Sequence, residues 1–417
     1  MNTHSKAQPL EARAAETVCI VGLGYIGLPT AAMLASCGYL VKGYDVNAQA
    51  VAQINNGQPH FHEPDLQMLL GAAVKTGQLQ AATRPSPADY FIIAVPTPFK
   101  DEKQPDLSYI DAACDAIAPL LVRGNVVILE STSPVGTTER IAARLKVARP
   151  DLAFPAFKDN ENEPDIFVSH CPERVLPGRM LRELVLNDRI IGGMTEGCAQ
   201  RALKLYKSFA TSTLLTTDCR TAEFVKLIEN AYRDVNIAYA NELSLLCERF
   251  GIDVWEAIEL ANRHPRVNIM QPGPGVGGHC IAVDPWFLVA KAPDLTRLIR
   301  TARETNDAKP HWVLDQIRAM TGKLKAPTVA CFGLAFKPDV DDLRESPAIE
   351  IVTALASDAG TRLLLVEPNV KALPSRSHSK ATATSITISL GPTRAVALPK
   401  ILTTKASQLM PRAVSFR

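Results

Sequence analysis

Between Thr17 and Asp45 the chain carries a pattern that few folds accommodate. Thr17-Val18-Cys19-Ile20-Val21 is a short apolar run, as expected of a strand buried on both faces. Gly22-Leu23-Gly24-Tyr25-Ile26-Gly27 follows at once, then a helical pattern over 26–36 and a second strand over 40–45. A G-x-G-x-x-G turn between a strand and a helix reads as a dinucleotide cradle. Gly22 permits the tight turn, Gly24 clears room for a pyrophosphate at the helix N-terminus, and Gly27 lets helix and sheet close up. Tyr25 and Ile26 belong to the same cofactor-binding turn. Asp45, ending the second strand, is expected to bind a ribose 2′-hydroxyl and repel a 2′-phosphate, which favours NAD over NADP.

Further apolar runs at 90–95, 126–129, 166–169, 189–191 and 214–216 alternate with helical patterns. That alternation predicts a parallel, doubly wound sheet. Ligands of such sheets sit beyond the carboxyl ends of strands, so Pro96, Thr97 and Thr132 are candidate cofactor contacts. Ser131 and Ser133 are equally well read as ordinary turn residues. From 220 to 250 the pattern is one long helix, stopped by Gly251 in a C-terminal capping position. A fresh strand follows at 328–332, a helix starts at Ser346-Pro347 with N-cap and N1 chemistry, and another strand covers 362–366. The fold class expected is α/β: two Rossmann-like doubly wound domains joined by a long central helix, the C-terminal one incomplete. The boundaries are a flexible N-terminus at 1–16, a dinucleotide-binding domain at 17–217, a central helical and dimerisation domain at 218–322, the start of a second α/β domain at 323–370, and an atypical basic tail at 371–417.

At 417 residues the chain exceeds one ordinary core. No apolar run reaches the roughly 18–20 residues of a membrane span, and the first sixteen residues lack the apolar core of a signal peptide. Nine cysteines without C-x-x-C pairs argue against a disulfide framework and against a metal site. A cytoplasmic protein is expected. Net charge is +2, yet eight Lys/Arg and no Asp or Glu lie in 371–417, so the rest of the chain is acidic on balance. That is no nucleic-acid footprint.

The most informative chemistry lies at Gly273-Pro274-Gly275-Val276-Gly277-Gly278-His279-Cys280. Its glycines are read as letting a ligand approach the main chain closely. An apolar pattern over 281–290 suggests a helix starting at or near Cys280, whose N-terminus would lower the thiol pKa and favour a nucleophilic thiolate. Asp284 would stand one turn on, on the same face. Lys226 and Asn230, spaced i, i+4 on the long helix, share a face in a segment apolar nearly all round, so Lys226 is placed to stabilise developing negative charge. Glu173, after a strand end in CPERVLPG at 171–178, is a candidate general base on water.

Assembled, these residues resemble the UDP-glucose/GDP-mannose dehydrogenase family. The similarity covers about 17 to 370 and includes GLGYIGLPT at 22–30, AVPTPFK at 94–100, ESTSPVG at 130–136, CPERVLPG at 171–178, NAYRDVNIAYANELS at 230–244, NRHPRVNIMQPGPGVGGHCIAVDPW at 262–286 and FGLAFKPDVDDLRESPA at 332–348. The second cysteine-containing motif and CPERVLPG look like the family's N-acetylmannosamine branch. The resemblance implies oxidation of the C6 hydroxyl of UDP-N-acetyl-D-mannosamine to a carboxylate by two NAD, through an aldehyde and a thioester on Cys280, for surface polysaccharide synthesis. It further implies that Lys226 and Asn230 hold the C6 oxygen, and that Asp284, Glu173 and Thr132 organise water and proton transfers. Arg174, Gly277 and Lys337 would contact the UDP-sugar, Arg344 the cofactor and nucleotide, and His264 and Arg266 the substrate of a neighbouring subunit in a homodimer built on the central helix.

Past Val370 the resemblance is expected to stop, the change reading either as a natural disordered tail or, favoured because it is abrupt, as a shifted frame or truncated product. Three alternatives remain open. One is a UDP-N-acetylglucosamine 6-dehydrogenase. Another is a catalytically impaired nucleotide-binding remnant. The last is a two-electron enzyme of the β-hydroxyacid type, in which the Lys-x-x-x-Asn pair also occurs but no nucleophilic cysteine does.

Overall fold

The computed structural model describes residues 16–337, 342–358 and 360–368, and the backbone strand of 386–390. It divides into two compact units: one holds the residues up to Thr97 with Leu107–Glu223, the other Pro98–Asp106 with the residues from Phe224 on.

The first unit is an eight-stranded sheet, β1 (Thr17–Val21), β2 (Leu40–Tyr44), β3 (Leu79–Ala82), β4 (Tyr90–Ile93), β7 (Val126–Leu129), β8 (Phe167–His170), β9 (Arg189–Gly193) and β10 (Leu214–Asp218), the numbers β5 (Phe99–Lys100) and β6 (Gln104–Pro105) going to a small hairpin of the second unit. The order is β10-β9-β8-β7-β4-β1-β2-β3. The chain winds one way from β1 to β3 and then restarts at β4 on the other side of β1, which makes the β1/β4 edge the switch point where such sheets bind ligands. Every residue of β4, β7 and β8 is buried, as strands covered on both faces require. Helices α1 (Gly27–Ser36), α2 (Ala48–Asn55), α3 (Leu66–Lys75), α4 (Ser108–Ile117), α5 (Thr137–Ala148), α6 (Met180–Leu186) and α7 (Glu196–Tyr206) connect the strands.

One departure from an all-parallel sheet matters. β9 runs antiparallel to β8, pairing Ser169 with Gly193 and His170 with Gly192. An antiparallel neighbour needs no crossover to the far edge. The segment containing Glu173 and Arg174 therefore joins a strand end to a strand start without crossing the sheet.

The long helix α8 (Cys219–Phe250) opens in the first unit and continues through the second. Gly251 closes it at φ 69°, with the Ile252 N–H reaching back to the Cys247 carbonyl, the expected left-handed stop. The second unit continues with α9 (Val254–Ala261), α10 (Asp284–Lys291) and α11 (Arg297–Thr321), then β11 (Thr328–Phe332), α12 (Pro347–Ala356), β12 (Arg362–Glu367) and β13 (Ile386–Leu390). The three strands form a parallel sheet in the order β11-β12-β13. β13 lies inside 371–417, the stretch read as an atypical basic tail; the remainder of that tail and the first fifteen residues fall outside the described residues. Ser346 stands at the N-cap of α12, but its hydroxyl donates to the Leu334 carbonyl instead of accepting from the helix.

Within the first unit, the first turn of α8 caps α5. Fully buried Glu223 accepts from the Gly136 and Thr138 N–H groups at 2.7 Å each and from the Thr138 hydroxyl at 2.6 Å, satisfying donors that a helix start leaves orphaned. Glu223→Ala should therefore cost about 2–4 kcal/mol, read as a lower urea midpoint at unchanged slope. A shift below about 0.5 kcal/mol would show that the cap is dispensable.

Candidate active site

Two groups of functional side chains form, one in each unit. In the first, Gly22 adopts φ 94°, and a Cβ there would meet the Ala94 carbonyl at 2.6 Å. A Cβ on Gly27 would lie 1.8 Å from the Gly22 carbonyl oxygen. Both glycines are thus demanded by backbone packing. Gly24 differs: nothing stands within 4 Å of its absent Cβ, so the turn is open there. No side chain caps the N-terminus of α1, whose free N–H groups suit a phosphate. Asp45 accepts from the Leu23 N–H at 2.9 Å and the Asn47 N–H at 2.8 Å, which ties the end of β2 to the glycine turn. Tyr25 stacks on Phe61 at 4.3 Å. The open glycine, the uncapped helix and the acidic strand end fit a dinucleotide. Ile26 occupies the position just before α1, and Pro96 is exposed beyond the end of β4.

Thr97 donates to the Thr132 carbonyl at 2.6 Å, bringing two expected contacts together. Ser131 and Ser133 use their hydroxyls on the carbonyls of Val95 and Ser131, so they are turn residues. Glu173 is buried, with one carboxylate oxygen 3.1 Å from buried Arg189 and the other accepting the Arg174 N–H at 2.7 Å. Arg174 itself donates to the Asp188 carbonyl. Behind them Glu130 accepts the Tyr206 hydroxyl at 2.7 Å. Burial and then the Glu173 charge push the Glu130 carboxyl up to about 7. Sequence reasoning missed Glu130, Arg189 and Tyr206, because a buried polar residue inside an apolar pattern shows its partners only in three dimensions.

The second unit brings Lys226, Asn230, Cys280 and Asp284 together. Asn230 donates to Asp284 at 2.5 Å, and both are buried. α10 begins at Asp284, not at Cys280. The half-buried cysteine precedes the helix, its carbonyl accepting the N–H groups of Val283 and Asp284. The expected lowering of the thiol pKa therefore fails. Burial first, and then the Asp284 charge, push it up to about 12, with Lys226 pulling the other way. Burial likewise pushes Asp284 up to about 7 against the pull of Lys226 and the Asn230 bond. A protonated thiol thus stands by a carboxyl able to exchange a proton near neutrality.

The loop glycines serve packing. A Cβ on Gly277 would meet the Glu345 carbonyl at 2.6 Å, and one on Gly278 the Phe336 ring at 2.7 Å. At these two glycines the loop is pressed against the segment after β11. Arg344 lies on this side: its carbonyl accepts the Gly278 N–H, and its guanidinium forks onto Asp342. His279 was overlooked. Burial, with Arg344 and Lys226 nearby, pushes it down to about 4, so it is a neutral imidazole whose 3.9 Å approach to Asp342 is no ion pair. Lys337 follows β11 on the same segment. His264 and Arg266 are exposed in the turn after α9 and belong to neither group.

The family profile of the UDP-glucose/GDP-mannose dehydrogenases matches in three parts: its NAD binding domain at 16–210, its central domain at 220–308 and its UDP binding domain at 330–398. The last match runs past Val370, correcting the point at which the resemblance was expected to end. The chain is 62% identical over 358 residues to the NDP-N-acetyl-D-galactosaminuronic acid dehydrogenase of Ralstonia nicotianae, covering 86% of this chain and 84% of that one. It is 57% identical over 364 residues to the UDP-N-acetyl-D-mannosamine dehydrogenase of Campylobacter jejuni, covering 87% and 89%. The solved UDP-N-acetyl-D-mannosamine dehydrogenase of Pyrococcus horikoshii superposes with a TM-score of 0.79 at 40% identity, covering 90% and 89%.

The electrostatics predict how the thiol reacts. Asp284→Asn removes the charge that opposes thiolate formation, so iodoacetamide should alkylate Cys280 faster at pH 8 by about 3- to 10-fold. Peptide mass mapping reads the rate; an unchanged rate would mean that Asp284 does not act on the sulfur, and a slower one that it draws off the thiol proton more than its charge opposes the thiolate.

Proposed function

The chain belongs to the UDP-glucose/GDP-mannose dehydrogenase family, whose members use NAD, and on that premise we propose that it oxidises the C6 hydroxyl of UDP-N-acetyl-D-mannosamine to the carboxylate. The grouping of Lys226, Asn230, Cys280 and Asp284 carries this reading. NAD, held by the Gly22–Gly27 turn with Asp45, Pro96, Thr97 and Thr132, supplies the hydride acceptor for both oxidations.

Lys226 and Asn230 hold the C6 oxygen while its proton leaves and the carbon becomes an aldehyde. The Cys280 sulfur then bonds to that carbon as the thiol proton passes to Asp284 and the carbonyl π pair moves onto the oxygen held by Lys226 and Asn230, giving a thiohemiacetal anion. Loss of a second hydride from the same carbon leaves a thioester. Water adds to it, the carbon–sulfur bond breaks, and the carboxylate departs while the thiol regains a proton. A thiol is needed because an aldehyde has no carbinol hydrogen ready for the second removal. Glu173 and Thr132 are assigned to the water of the last step, and Arg174, Gly277 and Lys337 to the UDP-sugar. Arg344 is assigned to the nucleotide and cofactor. The UDP binding domain match and three-stranded sheet support a nucleotide-sugar substrate.

A second reading has its own support, since the Ralstonia relative at 62% identity is named for an N-acetyl-D-galactosaminuronic acid. We also assign the reaction to the cytoplasm, a reducing compartment in which nine free cysteines would stay reduced.

We also assign the working enzyme as a homodimer. Phe224, Ile228, Tyr232, Tyr239, Leu246 and Phe250 are 39% to 67% exposed, and at about 100° per residue they form one stripe along α8. A second copy of the chain is the occupant assigned to it, with His264 and Arg266 reaching the partner's substrate.

Three measurements test this. NADH counted per sugar should be two with the true substrate, and the preference among the UDP-linked N-acetylmannosamine, N-acetylglucosamine, N-acetylgalactosamine and glucose decides the hexose. One NADH per sugar would sink the thioester scheme. Cys280→Ser should cut carboxylate formation by roughly 10³-fold or more, whereas a two-electron enzyme would not respond. Light scattering should find a dimer that Tyr232→Glu with Tyr239→Glu converts to monomer; a dimer unaffected by that pair would move the interface elsewhere.

A further inference from the structure

The polar face of α8 does not end at Asn230. At about 100° per residue, Lys226, Asn230, Asp234 and Asn241 fall within roughly 80° of one another, opposite the exposed apolar stripe. Asp234 and Asn241 are fully buried, as are Arg303 and, at 1% exposure, Asn306 of α11. We infer that Arg303 and Asn241, linked through Asp234 and Asn306, are positioning residues that grip both ends of the loop from Gly273 to Ile281 and thereby set where the Cys280 sulfur stands.

The connections run without a break. The Gly273 N–H donates to Asn241 Oδ1 at 2.8 Å, and Asn241 Nδ2 donates to Asn306 Oδ1 at 2.8 Å. Asn306 Nδ2 donates to the Asp234 carbonyl at 3.0 Å and to its Oδ1 at 2.8 Å. Arg303 Nη1 donates to the same Asp234 oxygen and, at 3.4 Å, to the Ile281 carbonyl, one residue beyond the cysteine. Its Nη2 is held by Asp307. A backbone N–H can only donate, so Gly273 dictates which way the Asn241 amide faces, and Asn241 dictates the same for Asn306.

Stability alone does not call for this arrangement. Burying an Arg–Asp pair costs several kcal/mol of desolvation, and apolar residues of like volume are often at least as stable. What an apolar pair lacks is a directional hold on two loop atoms. The loop lies outside any regular element, so its ends need that hold if Cys280 is to stay within bonding range of a carbon. The effect on turnover rests on Cys280 being the nucleophile; the effect on loop geometry does not.

Arg303→Lys and Asn241→Ala, made in the full chain, separate positioning from simple charge balance. Lysine retains a cation for Asp234 but lacks the fork that also reaches Ile281 and Asp307. Three readouts are taken together: near-ultraviolet circular dichroism, the iodoacetamide rate at Cys280 by peptide mapping, and steady-state kinetics with the nucleotide sugar. Each variant should keep a native spectrum, change the Cys280 alkylation rate by about 5-fold or more, and lose about 10- to 100-fold in kcat with KM within about 3-fold. Should one variant fail to fold, the other decides. Native spectra with unchanged alkylation and kcat in both would overturn the inference, and so would loss of the native spectrum in both, which would assign the network to folding. Changed alkylation with unchanged kcat would support the positioning role and sink the nucleophile reading instead.

Discussion

A buried polar side chain must find a partner or cost the fold its desolvation energy, and on α8 such side chains line up along one face for more than four turns. Much of the second unit can be understood as the answer to that demand. Asp284 turns toward Asn230, the amides and guanidinium of α11 meet Asp234 and Asn241, and the glycine-rich loop is threaded between these fixed points. The other face of the same helix presents large apolar side chains to the outside. One helix thus turns its buried polar groups toward the candidate centre and its large apolar side chains outward, the two sets kept apart by the 3.6-residue repeat.

The candidate centre around Cys280 is partly withdrawn from solvent, and that shapes its protonation. With little water to share the charge, the thiol, the carboxyl and the imidazole all lean toward their neutral forms. A resting centre of this kind is guarded against stray alkylation and oxidation, because the reactive thiolate is scarce. Reactivity then depends on a proton moving between two adjacent groups.

The first unit was readable because its signals are local. A strand, a glycine turn, a helix and an acid at the next strand end follow one another within thirty residues, and their spacing is set by the fold itself. Less local features escaped. Strand direction leaves no mark on periodicity, so the reversal at β9 was invisible. The hairpin of β5 and β6 is too short to have a period. β13 was missed for a different reason: Ile386-Thr387-Ile388-Ser389-Leu390 does alternate, but the lack of acidic residues around it drew the reading away. At the candidate site, Cys280, Asp284, Lys226 and Asn230 were legible from type and spacing. The thiol's elevated pKa was not, since it required knowing that the helix begins four residues later and that burial and the Asp284 charge oppose the thiolate. Asp234, Arg303 and Asn306 carry no motif, and only the packing of two helices reveals them.

The close packing of Gly277 and Gly278 limits how this enzyme can diverge. At Gly277 and Gly278 even a methyl group would collide with backbone or with a ring fixed in place. Substitutions at these two glycines offer almost no route to a new sugar preference, because they would dislodge the neighbouring segment first. Evolution, or a designer, would have to retune selectivity from positions around the loop, leaving its own wording untouched.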